Sequence, residues 1–499
     1  MSIVDNFDKK TKHTPFLPKI YTSGTVLRVG DNIAWADGLS MVSYWEIVKF
    51  ENGKIGLVGE LRQREVGILL LDEKDITIGL KVYGTGKEPS VPVGEDLLGR
   101  VIDPFGSPLD GRGPISSSEY APMERAAPPI SCRSKVNEPV ETGIYAIDLL
   151  VPVGHGQREL ILGDRSTGKT SLAIDILINQ KGKDVIGVYV SIGQKESDLS
   201  NVVETLDEHG VLNQIVIVAA PAAFSPMLRF LAPYAGTSIA EWFMYRGKKV
   251  IIIYDDLTKH AISYREISLL LRRPPGREAY PGDIFYAHSK LLERAAKLNY
   301  KHGEGSLTAF PICETQLGDF SSYIPTNLIS ITDGQIYLDT NLFNSGRRPA
   351  VHPGLSVSRV GGAAQYKAIK KLASKLRIDL ARYEELSTFV QFGGKLDEKS
   401  EKLLQRGKRT VELLKQKVHQ LATPIQEVIA LILLTEGILD DVEANKVTDM
   451  LWRFYKYIQS IQEEIHIDLN KEVDVKTKNQ IIELWKKFVR DIYAQYQGS

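Results

Sequence analysis

The stretch "ILGDRSTGKTS", Ile161 to Ser171, decides the fold. Gly163, Asp164, Arg165, Ser166, Thr167, Gly168, Lys169 and Thr170 match the pattern G-x-x-x-x-G-K-[ST]. Glycines let backbone N–H groups curl around phosphate oxygens, Lys169 sets a cation against the outer phosphates, and Thr170 offers a hydroxyl to Mg²⁺. "RELIL" before the loop reads as a strand, and "KTSLAIDILI" from its end reads as a helix. That strand–loop–helix setting turns a short pattern into a nucleotide-phosphate site.

Working outward, apolar runs alternate with amphipathic segments: "VIGVYVSIG" then "DLSNVVETLDEHG", "QIVIVAA" then "MLRFLAPYAGTSIAEWFMY", "VIIIYDD" then "TKHAISYREISLLLRR". Continuous apolar strands separated by helices predict a parallel sheet covered on both faces. Asp255 closes one of those strands, where an acid can hold metal-bound water. Asp256 is expected to face away, because strand side chains alternate.

Upstream, from about 20 to 88, short β-type runs are punctuated by Gly, Asn and Asp turns, which predicts a small barrel or sandwich. The Pro/Gly-rich stretches "VIDPFGSPLDGRGP" and "YAPMERAAPPI" mark a connector. Residues 1–18 are polar, carry Pro15 and Pro18, and read as an extended arm. After about 370 helix-length segments dominate, such as "AIKKLASKLRIDLARYEELSTFV" and "NQIIELWKKFVRDIYAQYQ", which predicts a helical bundle. The expected organisation is therefore an arm (1–18), a small barrel or sandwich (19–88), a nucleotide-binding domain (89–370) and a helical domain (371–499).

Composition agrees with roughly three domains of about 100–200 residues each. The 499 residues include 62 basic and 62 acidic side chains, a zero balance that weighs against a general nucleic-acid binder. The N-terminus has no secretory signal pattern. The longest apolar run, "VIALILL" (Val428 to Leu434), is far short of the roughly 20 residues that cross a bilayer. Two cysteines, Cys132 and Cys313, read as plain thiols in a protein that needs no disulfide framework and suits a reducing compartment.

Several long blocks resemble the alpha subunit of F-type ATP synthase: "GQRELILGDRSTGKTSLAIDIL", "IIIYDDLTKHAISYREISLLLRRPPGREAYPGDIFYAHSKLLERAA", "LLGRVIDPFGSPLDGRGP" and the run from "SLTAFPICETQLGDF" to "SVSRVGGAAQ". The resemblance covers roughly residues 20 to 420. It implies a β-barrel crown, a RecA-like P-loop nucleotide domain and a C-terminal helical domain. It also implies a three-plus-three ring with catalytic beta subunits around a rotating shaft, and a peripheral place on the cytoplasmic face of an energised membrane or its organelle equivalent.

The resemblance gives roles to further residues. In the sister beta subunit a "G-E-R" segment supplies the carboxylate that positions attacking water. Here the segment is Gly193-Gln194-Lys195, and an amide is no base. The protein's own site is thus expected to bind ATP or ADP with Mg²⁺ (Thr170 on the metal, Asp255 through water) without appreciable turnover. Arg359 of "LSVSRVGG" matches the arginine that reaches into the neighbouring beta site, and Ser356 and Ser330 match residues contributed to that same interface. Phe343, Arg348 and Pro349 match the loop packed near the adenine, and Gln416 matches one of two pocket glutamines; the second position is Val418, which removes one hydrogen-bonding side chain.

The sequence departs from the family at Ser166, where glutamine is usual, and at its N-terminus, which lacks the amphipathic helix that meets the peripheral stalk. That departure keeps open a specialised motor coupled to another partner. A Rho-like nucleic-acid translocase would want basic and aromatic loops in the barrel, and a self-sufficient export-type ATPase would want Glu at 194. The sequence carries neither signature.

Overall fold

A computed structural model describes residues 22–461 and 465–497. The expected arm, residues 1–18, lies outside the described residues. Two compact units emerge: one of residues 22–89 with 269–273, and one containing the remaining described residues.

The first unit is a closed six-stranded antiparallel barrel. Its strands are β1 (Ser23–Gly30), β2 (Ile33–Asp37), β3 (Ile47–Phe50), β4 (Ile55–Leu61), β5 (Val66–Leu70) and β6 (Lys81–Lys87), in the order β1-β2-β5-β4-β3-β6 with β6 returning to β1. The strand pattern alone left barrel and sandwich open, and the resemblance implied a barrel; the barrel is closed by β1–β6 pairing, Ser23 opposite Tyr83, which removes the open sheet edge. Val26, Val48, Val58, Ile68, Leu70 and Val82 fill the interior.

The second unit begins with the pair β7 (Ser90–Val93) and β9 (Glu119–Pro122), which flank β8 (Val101–Ile102) in the sequence. Its main sheet continues with β10 (Leu160–Asp164), β11 (Val185–Ile192), β12 (Ile215–Ala220), β13 (Lys249–Asp255), β14 (Ser306–Thr315), β15 (Gly334–Leu338) and β16 (Val357–Ser358). The order is β16-β15-β10-β14-β13-β11-β12-β8. All pairs are parallel except β15–β16. Residues 215–220 of β12 and 250–255 of β13 are buried throughout, as strands covered on both faces must be.

Beyond residue 365 the described residues form helices and the loops that join them. The stretch read as one helix-length segment is two helices, Lys367–Ala373 and Leu376–Gln391. The longest apolar run forms the middle of helix Pro424–Thr435, where Val428 to Leu434 are at most 3% exposed. It is a core helix, started by a Thr423/Gln426 capping box. Phe454, Trp485 and Phe488 join the same core as an edge-on and tilted aromatic group, with centroids 5.0–5.5 Å apart. Among the described residues no helix is long and apolar enough to cross a membrane.

Candidate nucleotide site and an arginine at the far end of the sheet

The phosphate loop joins β10 to helix Lys169–Ile178. Gly168 (φ 97°) turns the backbone into the helix in the left-handed conformation that glycine takes without strain. Gly163 is needed for another reason: a Cβ there would lie 2.7 Å from the Leu338 carbonyl oxygen and 2.9 Å from Thr167 Oγ1. Ser166 also has positive φ and is exposed, so its side chain leaves the backbone cradle free.

Asp164 and Arg165 divide. Arg165 is exposed. The Asp164 carboxylate turns inward and accepts from Thr315 Oγ1 (2.6 Å), Gly318 N (2.9 Å) and Thr340 Oγ1 (2.9 Å). Burial works to raise its pKa, but these donors and the Lys169 charge prevail and hold it below the ordinary range. Its work is to tie the loop to β14 and its neighbours. Lys169 is 8% exposed and donates to the Gly163 and Asp164 carbonyls. Burial lowers its pKa, opposed by the charges of Glu314, Asp256 and Asp255.

Asp255 is the hub. It is 2% exposed. Thr170 Oγ1 and Tyr189 Oη donate to its Oδ2 at 2.8 and 2.7 Å, and Gln194 Nε2 donates to its Oδ1 at 2.8 Å. Lys259 Nζ donates to Gln194 Oε1, so both ends of the Gln194 amide are held. Asp256 follows the end of the strand and accepts from Lys259 N at 2.7 Å; burial pushes its carboxyl up to about 7. A hydroxyl and a carboxylate meeting at the mouth of a phosphate loop are hard oxygen donors of the kind that Mg²⁺ takes alongside phosphates and water.

A cavity of about 240 Å³ adjoins the loop, walled by Ile144, Leu172, Phe343, Pro349 and Leu421. The Arg348 guanidinium lies 4.2 Å over the Phe343 ring. Gln416 borders this cavity, and its amide is anchored: Oε1 accepts from Tyr145 N (2.7 Å), and Nε2 donates to the carbonyls of Gly143 (2.9 Å) and Gln420 (2.9 Å). With its amide anchored to residues 143–145 and 420, Gln416 thus stands, as the match to a pocket glutamine expects, in the wall of the cavity. Val418 is 58% exposed at its rim. Asp175, also on the wall, accepts from both the backbone N and Nδ1 of His419 at 3.1 and 2.8 Å.

The structure separates Arg359 from this group. β16 pairs with the first residues of β15 (Gln335 with Val357), and Gln335 pairs with Leu160, the first residue of β10. The phosphate loop leaves the other end of β10, after Asp164. Four strand residues intervene, about 13 Å along the strand direction. The Arg359 turn is firmly built: its N donates to the Asp333 carbonyl (2.8 Å), while Ser358 Oγ donates to Pro152 O (2.7 Å) and accepts from Gln157 Nε2 (3.1 Å) and Gly361 N (3.0 Å). Arg359 is exposed; its guanidinium donates to the Ile329 carbonyl at 3.4 Å, and its charge acts on the buried Glu159 carboxyl.

Ser356 and Ser330 fare differently. Ser356 is 0% exposed, and its hydroxyl accepts from Tyr337 N at 3.0 Å while Arg377 donates to its carbonyl. Ser356 is thus enclosed at the base of the turn that leads to Arg359. Ser330 is exposed and donates to Thr326 O at 2.9 Å.

Sequence reasoning missed Tyr189 and Lys259. Tyr189 hides inside an apolar strand run. Lys259 carried a usable signal: it stands four residues after Asp255 at the start of helix Leu257–Leu270, within one turn of the acid.

Residues 143–358 match the model of the ATP synthase alpha/beta family, nucleotide-binding domain, and residues 365–488 match that of the C terminal domain of the same alpha/beta subunits. The protein is 52% identical over 466 residues to the ATP synthase subunit alpha of Macrococcus caseolyticus (strain JCSC5402), covering 93% of each. With a barrel, a phosphate-loop sheet and a helical domain in that order, it belongs to the ATP synthase alpha/beta family, on its alpha-subunit side.

Proposed function

We propose that this protein is the nucleotide-holding, non-hydrolysing alpha-type subunit of a rotary ATP synthase. It binds Mg-ATP or Mg-ADP between the phosphate loop and the apolar cavity, and lends Arg359 to the catalytic site of a neighbouring beta subunit. The observation that carries this reading is the pairing of two features: Gln194 bound at both ends between Asp255 and Lys259, and an exposed arginine at the opposite end of the sheet. An amide can orient water but cannot take its proton or supply negative charge. A guanidinium offers permanent charge and planar donors to a transferring phosphoryl group, but only one within its reach.

Within the protein's own site, backbone N–H groups and Lys169 hold the phosphates. Thr170 and Asp255 hold Mg²⁺, which when bound neutralises charge on the phosphates. Phe343 and Arg348 cover the base. Beta subunits in a three-plus-three ring, a central shaft and attachment to a membrane through the complex follow from the kinship with ATP synthase subunit alpha.

Equilibrium binding and turnover on the purified protein test this reading. Mg-ATP should bind with turnover at background. Robust hydrolysis by this subunit alone would overturn the non-catalytic assignment, and absence of any nucleotide binding would overturn the site.

A further inference from the structure

The two cysteines sit in opposite settings. Cys313 is 0% exposed in β14, and burial pushes its thiol up to about 12. Cys132 is partly exposed at the end of the short turn Ile130–Cys132. Its Sγ lies 3.3 Å from His302 Nε2, and His302 Nδ1 lies 2.8 Å from Asn299 Oδ1.

The proton positions follow from the neighbours. The Asn299 amide is oriented by two backbone groups outside the His–Cys pair: its Oδ1 accepts from Lys301 N (3.1 Å), and its Nδ2 donates to Ser131 O (2.7 Å). The atom facing His302 Nδ1 is therefore an acceptor, so Nδ1 carries the hydrogen. A neutral imidazole protonated at Nδ1 has its lone pair at Nε2, and that lone pair faces the thiol. Cys132 is thus the donor in this bond and His302 the base. The two loops are stitched together by Asn299 N to Cys132 O (2.9 Å) and by the Arg133–Leu298 bridge.

We propose that Cys132 is an activated thiol that takes up low-molecular-weight disulfides by thiol–disulfide exchange, with His302 as its base and Asn299 as a positioning residue. The Cys132 proton passes to His302 Nε2. The thiolate attacks one sulfur of the disulfide; a new S–S bond forms to Sγ as the old one breaks. The departing thiolate takes the proton from His302. Cys132 is oxidised to a mixed disulfide, and the small disulfide gives up one sulfur as a thiol. The one other thiol of the protein is buried in β14, so nothing within the molecule resolves the adduct and the 1:1 mixed disulfide persists. The group also lies apart from the nucleotide site. It borders the start of β14 at Ser306, whereas the loop's neighbour Thr315 ends that strand, about 30 Å along it.

The test treats the full-length protein at pH 7 with an aromatic disulfide that releases a coloured thiolate, and separately with oxidised glutathione followed by intact mass. One fast equivalent per molecule is expected, lost in Cys132→Ser and kept in Cys313→Ala, with the second thiol reacting only after unfolding. His302→Ala should slow the fast phase at least about ten-fold, and added imidazole should restore part of the rate. Continued protection of Cys313 in that variant reports an intact fold. The proposal is overturned if Cys132 reacts no faster than thiols of the unfolded protein, or if His302→Ala leaves the fast phase unchanged.

Discussion

The two ends of the central sheet are built on opposite plans. At the carboxyl end, Asp255 takes three hydrogen bonds and the Gln194 amide is held at both ends. At the amino end, Arg359 is exposed on a turn whose backbone is hydrogen-bonded. Saturated polar side chains favour holding a ligand in one pose, since few donors or acceptors are left to rearrange. An exposed guanidinium on a hydrogen-bonded turn keeps donors available to a group outside this protein, as the proposed loan to a neighbouring subunit requires.

If that contrast is right, the largest effect belongs to the exposed arginine. Arg359→Ala in a reconstituted ring should lower turnover by about 10³-fold or more while leaving nucleotide affinity of the subunit's own site unchanged. Single-turnover kinetics and binding on the same preparation check both halves. A loss of the subunit's own nucleotide binding would collapse the distinction between the two ends.

Acid should strike the whole second unit before the barrel. Burial lowers His155 and His288 to about 4, so both are neutral in the fold and protonate first in the unfolded state. A folded pKa below the unfolded one contributes stability above about pH 6.5 that is lost as pH falls toward 4. Two such groups remove roughly 3 kcal/mol by pH 5.5. Residues 22–89 contain no histidine. Hydrogen exchange across pH 7 to 5 should show the sheet unit loosening while the barrel stays protected; simultaneous loss would count against this cause.

A smaller effect attends the hub. Asp255→Asn removes a charge that three donors share, and hydrogen bonds to charged groups contribute about 1.5–3 kcal/mol. Mg-dependent nucleotide affinity should fall about 10- to 100-fold, measured by titration with and without the metal. The smallest effect is expected from Gln194→Glu. The new carboxylate would face Asp255 across a contact now 2.8 Å long, with Lys259 as its remaining partner, so it is badly placed to activate water. Turnover should stay at background, and a large gain would show that one side chain alone separates holding from hydrolysis.

What the sequence determined by itself was local. The phosphate loop depends on neighbours within eight residues, from Gly163 to Thr170, and on the strand and helix that flank them. Each of those signals is contiguous, so Gly163 and Lys169 were legible in the sequence, and Asp255 was legible from its own local signal, the apolar run Val250 to Tyr254 that it closes. Tertiary structure decided everything that depends on partners far apart in sequence. It closed the barrel through β1 and β6, and buried Ser356 against Tyr337. It occupied Gln416 with Gly143 and Tyr145, more than 270 residues away. It also set Arg359 at the far end of the sheet and brought Cys132 to His302 across 170 residues. The physical reason is the same each time: the chemistry of a residue depends on which of its donors and acceptors the rest of the molecule has already taken, and that is settled only when distant segments pack.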